Sequence, residues 1–289
     1  MRNVAGRFAG SGGLGIHWQS WWPDDPPRGS LVIAHGAAEH GGRYAPLAAQ
    51  LVDWGFCVYA IDHRGHGLSE GRRSVIDRRT RAVADLQRVI AHATSEQDGR
   101  LPFLLGHSMG GCLALDVALG QQDRLAGLIL SGPLVELDTP RALLAVSRVL
   151  SALVPRLGVY AVEAAATSRD PEQVRRYEED PLNYRGKLPV RTVAELAGAI
   201  ASFPSRVPAL RLPLLILQGG ADQIVPPSGA RMIADRAGSE DLTLRVYPDL
   251  RHEIFHEAEP ERSAVIADLA NWLDRHVRTK PAAARSWRD

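Results

Sequence analysis

Five residues limit what this chain can become more than any others. Gly106-His107-Ser108-Met109-Gly110 follows the apolar run Phe103-Leu104-Leu105 and precedes the apolar stretch Cys112 to Leu119. The short run reads as a buried strand and the longer one as a helix, which puts a serine on a sharp strand-to-helix turn, the arrangement of a nucleophile elbow. Such a turn forces its central residue into a strained backbone conformation. Only small neighbours two positions away on each side tolerate it, hence Gly106 and Gly110. The hydroxyl is thereby lifted above the sheet edge, beside a helix N-terminus whose free N–H groups and positive dipole end favour negative charge.

The rest of the chain has the organisation this turn needs. Aliphatic or β-branched runs at Leu31 to His35, Cys57 to Ile61, Pro102 to Leu105, Leu128 to Ser131, Leu214 to Leu217 and Leu242 to Val246 predict strands. Helical patterns lie between and after them, at Tyr44 to Trp54, Thr80 to Glu96, Met109 to Gly120, Ser228 to Ala237 and Glu261 to Val277. That βαβαβ order predicts an α/β class, with a mostly parallel central sheet flanked by helices on both faces. The alternation fails from Gly132 to about Leu210, a stretch rich in Ala, Leu, Arg and Pro without a convincing strand. It is too long for a connection and is predicted to be an inserted helical cap, or lid. The expected division is 1–131 and 211–278 as core, 132–210 as cap and 279–289 as a polar tail.

A serine hydroxyl becomes a strong nucleophile only when a base takes its proton and a carboxylate orients that base. Ten histidines compete for the role. In sheets carrying this elbow the order along the chain is serine, acid, histidine, which leaves His252, His256 and His276. His252 follows the run Leu242 to Val246 and the turn Tyr247-Pro248-Asp249-Leu250-Arg251, beyond the carboxyl end of a late strand where ligands gather. It is the predicted base. His256 reads as the start of the next helical stretch, and His276 as a surface histidine near a helix C-terminus. Asp222 occupies the equivalent strand-end turn after Leu214 to Leu217 and is the predicted acid. Its rival Asp249 is expected to cap a local N–H within the turn. The strand Leu31 to Ala34 runs into the small-residue loop His35-Gly36-Ala37-Ala38-Glu39-His40, which is expected to supply the second oxyanion donor. Ala37 and Met109 N–H are the predicted pair, with His35 and His40 holding the loop's shape.

Composition excludes several classes. At 289 residues, 45% apolar and 23% charged, the chain can fill one large core and a modest inserted subdomain. Its formal charge of +1 is spread evenly, so there is no basic footprint for nucleic acid. Two cysteines, Cys57 and Cys112, form no disulfide framework and read as reduced packing residues. Met1 to Gly15 is Gly-rich without a secretory apolar core, and no run approaches the ~18 apolar residues of a membrane span, so a cytoplasmic location is expected. The nearest candidate, Ala142 to Ala166, is broken by Arg148, Pro155 and Arg156 and reads as amphipathic.

Three other patterns in the sequence carry weaker signals. His252-Glu253-Ile254-Phe255-His256 fits the H-E-x-x-H zinc pattern, but it follows a Pro-containing turn and occupies the place of the base, so the triad role is preferred. Asp62-His63-Arg64-Gly65-His66-Gly67-Leu68-Ser69 lacks the third glycine of a dinucleotide loop and reads as a tight polar loop braced by Asp62 and Arg64. Trp18, Trp21 and Trp22 read as edge packing in an N-terminal strand. No metal or organic cofactor is expected.

With these residues in place, the chain resembles the monoacylglycerol lipases, serine hydrolases of the α/β-hydrolase superfamily grouped with lysophospholipases and small esterases. The likeness rests on His35 to Tyr44, Asp62 to Gly71 and Gly106 to Gly111, and on Ser168-Arg169-Asp170-Pro171-Glu172, Asp180-Pro181-Leu182, Gly220-Ala221-Asp222 and His252-Glu253. It implies Ser108, Asp222 and His252 as the triad, Ala37 and Met109 as the oxyanion hole, and a lipid-facing cap from Gly132 to about Leu210. It implies cleavage of monoacylglycerols to fatty acid and glycerol. A lysophospholipase or general carboxylesterase with the same triad is the alternative, and a non-catalytic ligand receptor the alternative from another class. The apolar run Ala142 to Ala166 suggests peripheral membrane contact. The stretch Leu188 to Val207, rich in Pro and Arg, departs from the family pattern.

Overall fold

The computed structural model describes residues 1–137 and 141–278; the side chains of 141–145 and 278 are not described. The polar tail expected at 279–289 lies outside the described residues. An eight-stranded sheet runs through the molecule in the order β1-β2-β4-β3-β5-β6-β9-β10. Its strands are β1 (Arg2–Ala9), β2 (Gly15–Trp22), β3 (Gly29–Ala34), β4 (Phe56–Ile61), β5 (Phe103–His107), β6 (Gly127–Ser131), β9 (Leu214–Gly219) and β10 (Leu242–Tyr247). From β4 to β10 every neighbouring pair is parallel, while β1 and β2 close the other edge antiparallel.

The central strands β3, β5, β6 and β9 are almost wholly buried and mostly apolar because both faces of the sheet are covered. Alternate residues serve opposite faces. In β3, Leu31 and Ile33 join a cluster with α1 (Ala45–Asp53) and α9 (Glu261–Arg278), and Val32 and Ala34 join one with α2 (Arg79–Ser95) and α3 (Met109–Gln121). Trp272 of α9 lies edge-on to Phe103, 5.6 Å away. The helix α3 is buried on all sides, as a helix does when it backs the sheet on one face and is covered on the other. The N-terminal tryptophans are packing residues, as expected: Trp21 is buried and Trp22 lies against Tyr59 at 5.8 Å.

Between β6 and β9, which are neighbours in the sheet, the chain makes its longest excursion. It contains α4 (Arg141–Leu153), β7 (Gly158–Tyr160), α5 (Pro171–Glu179), β8 (Leu188–Pro189), α6 (Val190–Ile200) and α7 (Phe203–Arg206). The β7–β8 ladder corrects the expectation that this stretch holds no strand; with three and two residues, these strands are too short to show a period. The excursion is anchored to the core through α6. Thr192 Oγ1 accepts the Ile76 N–H at 2.9 Å and donates to the Ser74 carbonyl at 2.7 Å. The crossover helix α8 (Pro227–Arg236) connects β9 to β10 and packs against both.

Candidate active site

Every predicted site residue except Met109 follows the carboxyl end of a parallel strand by a few residues, and Met109 opens the helix beyond one. Ala37 follows β3, Ser108 follows β5, Asp222 follows β9 and His252 follows β10. Loops at that edge of a parallel sheet converge because all the strands end there.

Ser108 is the N-cap of α3, with φ 51° and ψ −118°. A non-glycine residue at positive φ carries strain, and the surroundings hold it by three backbone hydrogen bonds. Its N–H donates to the Ser131 carbonyl at 3.1 Å, and its carbonyl accepts from Cys112 and Leu134 at 3.1 and 3.0 Å. The two glycines are required by close approach. A Cβ on Gly106 would stand 2.5 Å from the Gly110 carbonyl oxygen, and one on Gly110 would strike the carbonyl oxygens of Ala34 and His35. The first turn of α3 therefore sits directly on the end of β3. Met109 opens α3, so its N–H is one that the helix leaves without an intrahelical acceptor.

His252 and Asp222 are paired. His252 Nδ1 lies 2.7 Å from Asp222 Oδ2, and both are buried. Asp222 is further fixed by the Ile224 and Val225 N–H groups on Oδ1, at 2.8 and 2.9 Å, and by the Gln218 side-chain amide on Oδ2 at 3.1 Å. A carboxylate surrounded by donors stays ionised. Although burial would raise it, the His252 charge and these hydrogen bonds hold the Asp222 carboxyl below the usual range. With Nδ1–H given to Asp222, the basic nitrogen of His252 is Nε2. Burial alone would lower this imidazole, but the Asp222 charge and hydrogen bond, followed by Glu253 and Glu39, carry it above its ordinary value.

The other candidates lie elsewhere. Asp249 is exposed. His276, on α9, pairs with Asp241, just before β10, at 2.7 Å. Ile254–His256 forms a short 3-10 turn in place of a helix, and His256 Nε2 donates to the Arg43 carbonyl at 3.2 Å.

The loop after β3 runs against the elbow: a Cβ on Gly36 would come 3.2 Å from the Ser108 Cβ. His35 and His40 do hold its shape. His35 Nε2 accepts the His63 N–H at 2.9 Å, so its Nδ1 carries the proton given to the Gly36 carbonyl at 2.7 Å. His40 Nδ1 accepts the Gly42 N–H and its Nε2 pairs with Asp180 at 2.9 Å. Asp62 and Arg64 brace loops as expected, with Arg64 binding Asp85 through two nitrogens and Asp62 accepting the Gly41 and Leu68 N–H groups.

A cavity of about 600 Å³ opens over Ser108. Ala37 and Asp222 share its wall with apolar side chains including Leu137, Leu150, Val159 and Leu196. The stretch Leu188 to Val207 supplies part of this wall, through Leu188, Val190, Val193 and Leu196. Sequence reasoning missed three polar residues that support the site, Gln218, Glu39 and Arg43. Their roles depend on contacts that no local spacing encodes.

A family model described as serine aminopeptidase, S33 matches residues 25–259. The chain is 40% identical over 272 residues to the monoacylglycerol lipase of Mycolicibacterium smegmatis, across 93% of this chain and 96% of that protein. The chain belongs to this family. Human monoglyceride lipase is 33% identical to it over 268 residues, 91% of this chain and 88% of that one. The crystal structure of the Paleococcus ferrophilus monoacylglycerol lipase superposes with a TM-score of 0.79 at 29% identity, covering 96% of this chain and 100% of that one. With the parallel sheet and flanking helices, this makes the fold that of the α/β-hydrolases.

Proposed function

We propose that this chain hydrolyses monoacylglycerols to fatty acid and glycerol, with Ser108 as nucleophile, His252 as base and Asp222 as its orienting acid. The observation that carries the reading is the 2.7 Å Asp222–His252 pair at the same sheet edge as a strained Ser108 that opens on an apolar cavity. The substrate class follows from the 40% identity to a monoacylglycerol lipase over nearly the whole chain.

In this mechanism His252 Nε2 takes the Ser108 proton as Oγ attacks the ester carbonyl. The tetrahedral oxyanion is held by the Ala37 and Met109 N–H groups, the second reinforced by the positive end of α3. Imidazolium His252, favoured by Asp222, protonates the leaving glycerol oxygen. Water, deprotonated by the same His252, then releases the fatty acid from Ser108. No step calls for a metal or an organic cofactor.

Residues 132–210 act as a cap that covers the acyl chain, while 1–131 and 211–278 form the core. The cap is also the proposed site of peripheral membrane contact, because Val149, Leu153, Val154 and Leu157 are exposed around the end of α4. No helix among the described residues is long and apolar enough to cross a membrane.

A hydrolysis panel of mono-, di- and triacylglycerols, lysophospholipids and short p-nitrophenyl esters tests the substrate class. The reading predicts the highest kcat/KM on monoacylglycerols. Preference for lysophospholipids or short esters would replace the substrate and leave the chemistry standing.

A further inference from the structure

We propose that Arg43 is a positioning residue for this reaction, a buried guanidinium that locks the Ala37 loop to the His252 loop and so fixes the oxyanion donor relative to the base. The inference rests on the assignment of Ala37, Ser108 and His252 given above.

Arg43 stands just beyond the loop after β3. Its Nη1 donates to Glu39 Oε2 at 2.6 Å and to Glu253 Oε1 at 2.9 Å, and its Nη2 to Glu253 Oε2 at 2.7 Å. Glu39 passes the restraint into the oxyanion loop: its Oε1 accepts the N–H of Gly36, the residue before Ala37, at 2.5 Å, and the Tyr44 hydroxyl at 3.0 Å. Glu253 passes it to the base, being the residue after His252. The Glu253 backbone is itself held, donating its N–H to the Thr167 carbonyl at 2.8 Å and accepting the His256 N–H at 2.7 Å. A return link runs from His256 Nε2 to the Arg43 carbonyl.

The guanidinium also lies over the Tyr177 ring of α5, 4.9 Å from its centre. Three segments far apart in sequence therefore meet on one side chain. The planar fork is what allows this: its bidentate grip on Glu253 fixes orientation as well as distance, which an ammonium cannot do. Arg43, Glu39 and Glu253 are all buried, at 7%, 2% and 5% side-chain exposure, so solvent does not screen their charges.

One cation faces two carboxylates here, with Tyr44, His256 and Tyr177 as the other titratable groups against it. Both carboxylates also act on His252, whose imidazole they raise, and on His107. By its charge beside both carboxylates, Arg43 should offset that field. Its removal should therefore move the base as well as misplace it, and removal of a carboxylate should move the base the other way.

The test compares Arg43→Met, Arg43→Lys and Glu253→Gln with the wild type on a monoacylglycerol. Displacing reacting groups by about 1 Å costs on the order of 100-fold, so Arg43→Met is expected to lose about that in kcat with KM within about threefold. Arg43→Lys should recover part of the loss, and Arg43→Met combined with Glu253→Gln should be no worse than Arg43→Met alone. The acidic limb of kcat/KM should shift upward in Arg43→Met and downward in Glu253→Gln.

A folded Arg43→Met with kcat within threefold of wild type would overturn the proposal. So would a kcat loss without these opposite pH shifts, which would leave Arg43 a purely structural role. If Arg43→Met does not fold, Arg43→Lys and Glu253→Gln carry the same tests. Full activity in Ser108→Ala would overturn the underlying triad assignment, whereas full activity in Arg43→Met beside an inactive Ser108→Ala would overturn only the role of Arg43.

Discussion

His252 Nδ1 and Asp222 Oδ2 stand 2.7 Å apart, joining the turn after β9 to the turn after β10 across 30 residues of sequence. The contact fixes which imidazole nitrogen carries the proton, and with it which one can accept another. It also sets the pH at which the base is available. Asp222 and the nearby Glu253 and Glu39 outweigh burial and raise the imidazole above its ordinary value of 6.5.

Base catalysis needs neutral His252, so kcat/KM should rise with pH through an apparent pKa above about 6.5 and level off beyond it. In Asp222→Asn the amide can donate to the ring and force the proton onto Nε2. We expect kcat to fall by roughly 10⁴-fold while the protein stays folded. Stopped-flow or pH-stat kinetics from pH 5 to 9 measure both effects, and an Asp222→Asn enzyme within tenfold of wild type would contradict the role given to this contact.

Stability should respond to pH in the opposite sense from the effect of His252 alone. The raised His252 stabilises the fold at low pH and loses that contribution as pH rises past its folded value. Four other histidines are buried and lowered, chiefly by desolvation: His63 to about 3, His107 to about 4, and His35 and His66 below 6.5. Each takes up a proton more readily when unfolded, so stability is lost as pH falls below about 6.5, by up to about 1.4 kcal/mol per pH unit for each. Thermal melts should show Tm dropping between pH 7 and pH 5, at about 2 °C per kcal/mol for a chain of this size. His63→Gln should flatten the slope; an unchanged slope would contradict the assignment.

Gly110 is held to glycine by the Ala34 and His35 carbonyls. Gly110→Ala should cost about 3 kcal/mol or prevent folding, because neither carbonyl can move without breaking the end of β3. Urea unfolding measures it. A loss under about 1 kcal/mol would mean that the elbow is not packed as described.

Glutamate at Val149 and Leu153, which are 61% and 74% exposed, should weaken sedimentation with anionic lipid vesicles while leaving hydrolysis of a soluble short ester within about twofold. Unchanged sedimentation would remove this part of α4 as a membrane-contact surface.

The central strands were legible because both faces of the sheet are buried, which gives β3, β5, β6 and β9 a near-continuous aliphatic run each. Their helices were legible from period and boundary residues to within a position or two. β1 was not foreseen, since an exposed edge strand such as Arg2–Ala9 needs no apolar alternation to pair with β2. Ser108 announces itself by the two glycines its turn requires, and Asp222 and His252 by their places after strands. Gln218, Glu39 and Arg43 could not be found that way. Arg43 meets Glu253 across 210 residues, and neither residue type nor local spacing encodes such a meeting.

The central claim is that Ser108 is the nucleophile, activated by His252. The direct measurement is labelling with a fluorophosphonate followed by mass mapping of the modified peptide. The account predicts a single adduct on Ser108, none in Ser108→Ala, and labelling slowed by at least about 100-fold in His252→Ala. An adduct on another residue, or undiminished labelling of Ser108→Ala, would contradict it.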